Sequence, residues 1–106
     1  GYPIGKWNVS QVSDFSYIFE QLETFNDDIS SWDVSSATDM GYMFYEARSF
    51  NQNISGWDVS NVISMGYMFA YASSFNSDIS NWNVSRVMDM EWMFDDASSF
   101  SSANLS

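Results

Sequence analysis

Hydrophobic and polar positions recur along the chain with a period of 25 residues. Five positions are the same in every period: a tryptophan, an isoleucine three residues before it, a valine two residues after it, and two phenylalanines further on. The equivalent residues are Trp7, Trp32, Trp57 and Trp82; Ile4, Ile29, Ile54 and Ile79; Val9, Val34, Val59 and Val84; Phe19, Phe44, Phe69 and Phe94; and Phe25, Phe50, Phe75 and Phe100. A period of this length, repeated four times, is typical of proteins whose units stack and share a core.

The spacing inside one unit changes from strand-like to helix-like. Trp32 and Val34 alternate with polar residues, which predicts a short strand. Apolar residues then follow at i, i+3, i+4 and i+7, which is one face of a helix, and Thr38 or Asp39 stands where an N-cap is expected. The residues of this helical face are Met40, Met43, Phe44 and Ala47. One unit is therefore predicted to be a strand, a short helix and a loop.

Stacked units of this kind predict an α/β solenoid with a parallel sheet on one face and helices on the other. We expect a single repeat domain over residues 1–106, divided into units 4–28, 29–53, 54–78 and 79–103. Neither end shows a polar capping sequence, so each end is expected to expose the edge of the core.

The composition excludes several classes of function. The chain has no His and no Cys, which removes Ser-His-Asp and Cys-His catalysis, disulfides and ordinary zinc sites. Fourteen acidic residues against three basic ones give a net charge of -11, which argues against nucleic acid as a partner. The apolar runs are too short for membrane insertion. We expect a non-enzymatic protein without a cofactor, and abundant Ser and Asn with scarce Lys favour an extracellular or cell-surface location.

The complete sequence of one unit is more characteristic of a protein family than the spacing of its apolar residues alone. The segments WDVSSATDMGYMFYEARSFN (32–51) and WDVSNVISMGYMFAYASSFN (57–76) resemble the BspA-type leucine-rich-repeat surface proteins, with the 25-residue repeats found in mycoplasma lipoproteins. The resemblance extends from Ile4 to about Ser106. It implies an exported protein, a right-handed leucine-rich-repeat-like solenoid, a role in adhesion or protein binding, and no catalytic residues.

One column departs from ordinary leucine-rich repeats, whose buried asparagines satisfy loop backbone groups. The equivalent residues here are Val12, Ala37, Val62 and Val87. Another polar column must then satisfy those groups. The candidates are Ser10, Ser35, Ser60 and Ser85, or Asn26, Asn51 and Asn76.

A polar column follows the tryptophans and is expected to lie on the open face of the sheet, where repeat proteins commonly bind partners. Its members are Asn8, Asp33, Asp58 and Asn83. If Asp33 and Asp58 lie one strand apart, their mutual repulsion would raise a pKa or recruit a cation such as calcium, although no strong calcium-loop motif is present. The alternative interpretation is a row of solvated turn residues.

An aromatic column is predicted on the outer, convex side, because it falls opposite the apolar face of the predicted helix. Its members are Tyr17, Tyr42, Tyr67 and Trp92. An exposed aromatic row suggests contact with a partner, such as sugar rings or another solenoid. The alternative is that the segment is not a regular helix and that the rings fold back over the edge of the core.

Four N-x-S sequons mark potential N-glycosylation sites if the protein is secreted from a eukaryotic cell. Their asparagines are Asn8, Asn53, Asn83 and Asn104. In a bacterium these sequons carry little meaning, because a repeat generates them easily.

Two classes of function remain open at this stage. The first is a cell-surface module that binds a protein or glycan ligand. The second is a structural subunit of an extracellular filament, which assembles end to end through its uncapped ends and exposed aromatic residues.

Overall fold

The computed structural model describes residues 3–105, which form a stack of similar 25-residue units measuring 33 × 31 × 21 Å. Two short 3-10 helices, Ile4–Lys6 and Ser102–Asn104, are the helical elements of this part of the chain. Three isolated parallel bridges connect equivalent positions of successive units: Asp14 to Asp39, Asp39 to Ser64, and Ser64 to Asp89. Residues 3–105 contain no α-helix and no β-strand.

The predicted α/β leucine-rich-repeat solenoid is therefore wrong, because neither its parallel sheet nor its layer of helices forms. The Trp32–Val34 segment does not extend into a strand, since a tight turn lies on each side of it. The N–H of Trp32 donates to the carbonyl of Ile29 at 3.1 Å, and the N–H of Ala37 donates to the carbonyl of Val34 at 2.9 Å.

The predicted helix is replaced by consecutive turns. The N–H of Met43 donates to the Met40 carbonyl at 3.2 Å, and the N–H of Ala47 donates to the Phe44 carbonyl at 2.9 Å. The third residue of each turn, Tyr42 or Glu46, has a positive φ, as type II turns require. The first and last residues of both turns are completely buried, so consecutive turns reproduce the apolar spacing of a helix.

Main-chain hydrogen bonds join each unit to the next. In the first unit, alternate N–H groups donate to carbonyls of the second unit at 2.7–3.1 Å. The pairs are Phe15 to Asp39, Tyr17 to Gly41, Phe19 to Met43, and Gln21 to Tyr45. The same four bonds recur between the second and third units and between the third and fourth. The units are thus held in register by the backbone, although no sheet forms.

Two phenylalanine ladders fill the core. Phe19, Phe44, Phe69 and Phe94 stack with successive centroids 5.4, 5.4 and 5.7 Å apart. A second ladder of Phe25, Phe50, Phe75 and Phe100 runs beside it. Within a unit the two ladders touch, for example at 4.2 Å between Phe44 and Phe50. Offset-stacked rings of this kind contribute beyond their buried area.

Two polar side-chain columns satisfy backbone groups at the junctions between units. The indole N–H of Trp57 donates to the carbonyl of Ile29 at 3.1 Å, and Trp32 and Trp82 make the equivalent bond. The side-chain oxygen of Asn26 accepts from the N–H of Asn51 at 2.8 Å, and the bond recurs one unit later. The asparagine column is thus one of the columns that replace the buried Asn of ordinary leucine-rich repeats.

Candidate interaction surface

Three tyrosines of the outer aromatic column stack on one another at the surface. The rings of Tyr17 and Tyr42 are 4.9 Å apart and inclined by 10°, and those of Tyr42 and Tyr67 are 4.7 Å apart and inclined by 7°. Tyr17 is exposed, whereas Tyr42 and Tyr67 are half-buried by their neighbours. Trp92 holds the fourth position and is 55% exposed, and its indole N–H donates to the carboxylate of Glu91 at 3.0 Å.

The backbone, rather than a helix, sets the direction of this column. Tyr17, Tyr42, Tyr67 and Trp92 all have φ between 57° and 65°. That conformation costs a non-glycine residue about 1–2 kcal/mol. It is maintained because the N–H of each tyrosine donates to the next unit, as Tyr42 does to Gly66 at 3.0 Å. The repeated turn therefore places the rings at the same height in every unit.

Carboxylates lie beside the tyrosine column. Asp39, Ser64 and Asp89 line a shallow hollow of about 190 Å³ together with the tyrosines. Asp39 accepts from the N–H of Gly41 at 2.9 Å, and Asp89 accepts from the N–H of Glu91 at 3.0 Å. A Cβ at Gly66 would lie 3.1 Å from the Asp89 carboxylate, so glycine permits this close approach. The hollow is acidic and open to solvent.

The hydroxyls of Tyr42, which lines the hollow, and of Tyr71, which does not, are potential hydrogen-bond donors. Burial, followed by the neighbouring Tyr67, Tyr17, Tyr45 and Glu20, raises the pKa of Tyr42. The carboxylates of Asp95 and Asp96 are the main cause that raises the pKa of Tyr71. Both phenols therefore keep their protons at neutral pH.

The column predicted on the sheet face lies at the surface but in turns, since no sheet exists. The side-chain oxygens of Asn8, Asp33, Asp58 and Asn83 accept from the N–H two residues onward at 3.0–3.1 Å. The hydroxyl of Ser35 also donates to Asp33 at 2.5 Å. Local turns of this type are the ordinary use of Asp and Asn before Ser.

Repulsion between Asp33 and Asp58 does not dominate their titration. Hydrogen bonds from Ser35 lower the pKa of Asp33, and those from Ser60 lower the pKa of Asp58. The charge of Asp33 opposes the lowering at Asp58 only as the smallest cause. The expectation of a raised pKa is therefore wrong for this pair. Within residues 3–105, no three acidic side chains converge in a way that could hold a metal ion.

We expect acid to remove the contribution of Asp33 to stability. Its folded pKa lies below the unfolded value, so the contribution is present above about pH 5 and is lost as the pH falls through the folded pKa. Asp33→Asn keeps an oxygen acceptor, as Asn8 does, but cannot titrate. The stability difference between the wild type and Asp33→Asn should thus be constant near neutrality and should shift against the wild type in acid.

Urea unfolding of both proteins at a series of pH values measures this difference. Comparing the two proteins cancels the general stabilisation that acid gives by reducing the negative charge of the whole chain. Asn8→Asp is the reverse variant, and it should acquire the same pH dependence that Asp33→Asn loses. A stability difference that stays constant through the acid range would contradict the assignment.

The sequon asparagines differ in what their amide nitrogens contact. Asn8, Asn53 and Asn83 are exposed, and their side-chain oxygens accept from the serine two residues onward. Asn104 is half-buried, and its amide nitrogen donates to Asn76 at 2.8 and 3.0 Å. Ser106 of the last sequon lies outside the described residues. Asn8, Asn53 and Asn83 are therefore more accessible for attachment of a glycan than Asn104 is.

The acidic side of the tyrosine column was missed by sequence reasoning, which assigned Asp39 only as a candidate helix cap. The available signal was the recurrence of Asp two residues before Ser, Gly or Glu. Asp14 and Asp39 bond to Ser16 and Gly41 in this way. The chain has three such turn columns, although Ser64 interrupts the one that contains Asp14 and Asp39, and only the column after the tryptophans was recognised.

No helix in the described part of the chain has the length and apolar character needed to cross a membrane. The chain matches none of the curated proteins and none of the solved structures with which it was compared. A family profile does match it over residues 2–106, almost its whole length. The chain therefore belongs to the repeat-domain family DUF285, described as Mycoplasma protein of unknown function.

Proposed function

We propose that this chain is a non-enzymatic interaction module, outside the cell or at its surface, that binds a basic segment of a partner protein. The observation that carries the proposal is the stacked column of Tyr17, Tyr42 and Tyr67 beside the acidic hollow of Asp39 and Asp89. The surface location rests on the scarcity of Lys and on the resemblance to BspA-type surface proteins, which is itself part of the proposal.

The stacking geometry favours a protein ligand over a glycan. Both faces of the Tyr42 ring are covered by its neighbours, at 4.9 and 4.7 Å. A sugar ring or a guanidinium group that stacks on an aromatic residue needs a free face. At this central ring the column instead offers the ring edge and the phenol hydroxyl to a ligand, whereas Tyr17 and Tyr67 each stack within the column through one face.

Charge favours a cationic ligand. Lys and Arg donate hydrogen bonds and pair with carboxylates, and both can bond to a phenol oxygen. The net charge of -11 would also steer a basic segment toward the protein, most strongly at low salt. The mechanism is surface complementarity, without a chemical step.

Titration with an oligo-arginine peptide, followed by NMR, tests the proposal. The site variant is Asp39→Asn with Asp89→Asn, in which the amide oxygens can still accept the turn hydrogen bonds. The matched control is Asp33→Asn with Asp58→Asn, which changes the net charge equally on another column. Because exposed ion pairs contribute about 0.2–1 kcal/mol each, we expect the site variant to bind about three- to tenfold more weakly and the control to bind nearly as the wild type does.

Other outcomes would overturn the proposal. Equal weakening in both double variants would mean that the peptide senses only net charge. Shifts centred on Asp33 and Asp58 would move the site to that column. Binding of a neutral oligosaccharide at the tyrosines, together with failure of the peptide to bind there, would replace the basic segment with a glycan.

A further inference from the structure

Five of the six tyrosines in the chain form one connected group at the surface, and the sixth, Tyr2, lies outside the described residues. The members of the group are Tyr17, Tyr42, Tyr45, Tyr67 and Tyr71. By contrast, the two stacked ladders of the core contain only phenylalanine, so stacking between units does not require a hydroxyl. The hydroxyls of the surface group therefore add a chemical property that stacking does not explain.

Tyr42 and Tyr67 have the shortest ring contact in this group. Their centroids are 4.7 Å apart and their planes are inclined by 7°. The two residues hold equivalent positions in the second and third units, and a further described unit lies on the other side of each. The N–H of Tyr42 donates to the carbonyl of Gly66 at 3.0 Å, next to Tyr67 in the chain. The backbone of the stack therefore fixes the two phenols one unit apart.

The surroundings of this pair suit the loss of electrons and protons. Both side chains are half-buried, and both line the hollow that is open to solvent. A phenol that gives up an electron also gives up its proton, and water in the hollow can accept that proton. The resulting phenoxyl radical has its unpaired electron on the oxygen and on the ring carbons ortho and para to it. The ortho carbons of tyrosine carry only hydrogen, so two such radicals can join there.

We propose that Tyr42 and Tyr67 form a site of oxidative cross-linking, in which a dityrosine bond joins the second unit to the third. The oxidant is hydrogen peroxide, acting through a one-electron oxidant of the haem peroxidase class. Each phenol loses one electron and one proton, and the two radicals form a carbon–carbon bond between ortho positions. The hydrogens on those carbons then move to the phenol oxygens through water. The chain loses two hydrogen atoms, and hydrogen peroxide is reduced to two molecules of water.

One feature of the geometry opposes the reaction, and another favours it. The new bond joins the rings edge to edge, whereas the two rings lie face to face, so one ring has to turn. Tyr67 is able to turn, because it stacks within the column through one face, whereas Tyr42 is covered on both faces. The backbone holds the two residues together during this rotation, which favours coupling within one chain over coupling between two copies. The reaction needs no bound ligand, so it is independent of the proposed binding of a basic segment.

Oxidation of the 106-residue chain in dilute solution, with hydrogen peroxide and a haem peroxidase, tests the proposal. Trypsin then cleaves the unfolded product after Lys6, Arg48 and Arg86, which places Tyr42 in peptide 7–48 and Tyr67 in peptide 49–86. We expect mass spectrometry to find these two peptides joined, with a mass two hydrogen atoms below their sum. Before digestion the product should remain at 12.1 kDa, because the bond lies within one copy.

Three single variants locate the bond. Tyr42→Phe and Tyr67→Phe each remove one phenol but keep a ring in the column, so both should lose the joined peptides. Tyr45→Phe is the matched control, because Tyr45 lies in the same peptide as Tyr42 and contacts Tyr71 of the other peptide, but edge-on, with planes inclined by 82°. It should form the joined peptides as the wild type does. Urea unfolding before oxidation shows that each variant is folded.

The cross-link should also stabilise the stack. The bonded residues are 25 positions apart, so the bond closes a loop that restricts the unfolded chain. Oxidation should raise the urea midpoint of the wild type by about 1 M relative to its effect on Tyr42→Phe. That variant undergoes the same oxidation of methionine and tryptophan but forms no bond. An oxidised wild type that gains nothing over the variant would contradict a bond formed in the native stack.

Four results of the peptide analysis would overturn the inference. The first is the absence of joined peptides under conditions that convert N-acetyltyrosine to its dimer. The second is a product confined to peptide 7–48, which would place the bond between Tyr17 and Tyr42. The third is joined peptides that persist in Tyr42→Phe and disappear in Tyr45→Phe, which would place the bond at the edge-on pair. The fourth is a product of twice 12.1 kDa in place of the cross-linked monomer.

Discussion

Replacing Phe44 with alanine is expected to lower the free energy of unfolding by about 4 kcal/mol. The Phe44 side chain is completely buried and contacts aromatic rings on every side. Its centroid lies 5.4 Å from those of Phe19 and Phe69, 4.2 Å from that of Phe50 and 6.3 Å from that of Trp57. Neighbours that are themselves stacked cannot collapse into the space, so the variant retains a cavity.

Phe94→Ala is the matched control in the same ladder. Phe94 is half-buried; among the described residues it stacks on Phe100 and, within its own ladder, on Phe69 alone. We expect this change to cost about 2 kcal/mol, because solvent and the outer edge of the unit relieve part of the cavity. Urea unfolding of both variants under the same conditions measures the two costs.

The urea midpoint of Phe44→Ala should fall by about 2 M, given a slope of about 2 kcal/mol/M for a small domain. That loss is a large fraction of the roughly 5–15 kcal/mol that stabilises an ordinary domain. Equal costs at Phe44 and Phe94, or a cost below about 1 kcal/mol at Phe44, would contradict the close-packed ladder.

The sequence predicted the stacking of the chain better than its local structure. Identical residues 25 positions apart identified the columns, and the structure stacks the Phe and Tyr columns and bonds the Asn column between units. Columns depend on the period alone, whatever conformation each unit adopts. Local conformation depends on hydrogen bonding, and here alternate N–H groups of the predicted helix donate to the next unit, while those between them close turns within the unit.

The same difference between the period and the local conformation explains why the sequence predicted only part of the candidate surface. The aromatic column could be found because it repeats, but the helix used to orient it does not exist. Positive φ at Tyr42 and Glu46 could not be anticipated, since turns that require it usually contain glycine or asparagine. The stacking of the tyrosines and the acidic hollow beside them both follow from that unpredicted turn.

Substitutions at Glu46 test this turn directly, because glycine and alanine should rank oppositely in a turn and in a helix. Glu46 has φ of 57°, and its N–H donates to the Ala70 carbonyl at 2.9 Å. Its side chain also contacts Gln21 and Arg48, so Glu46→Ala serves as the reference that removes those contacts in every variant. Against this reference, Glu46→Gly should be more stable by about 1 kcal/mol, since glycine adopts positive φ without a Cβ penalty.

Glu46→Pro should be less stable than Glu46→Ala by about 3 kcal/mol or more. Proline fixes φ near -65°, opposite in sign to the native value, and it removes the N–H that binds Ala70. Proline would also disrupt a helix, so the glycine variant is the one that discriminates between the two structures. In a helix, glycine would be about 1 kcal/mol less stable than alanine. Urea unfolding of the three variants gives the difference in unfolding free energy between the glycine and alanine variants. An alanine variant that is more stable than the glycine variant would contradict the turn and support the predicted helix.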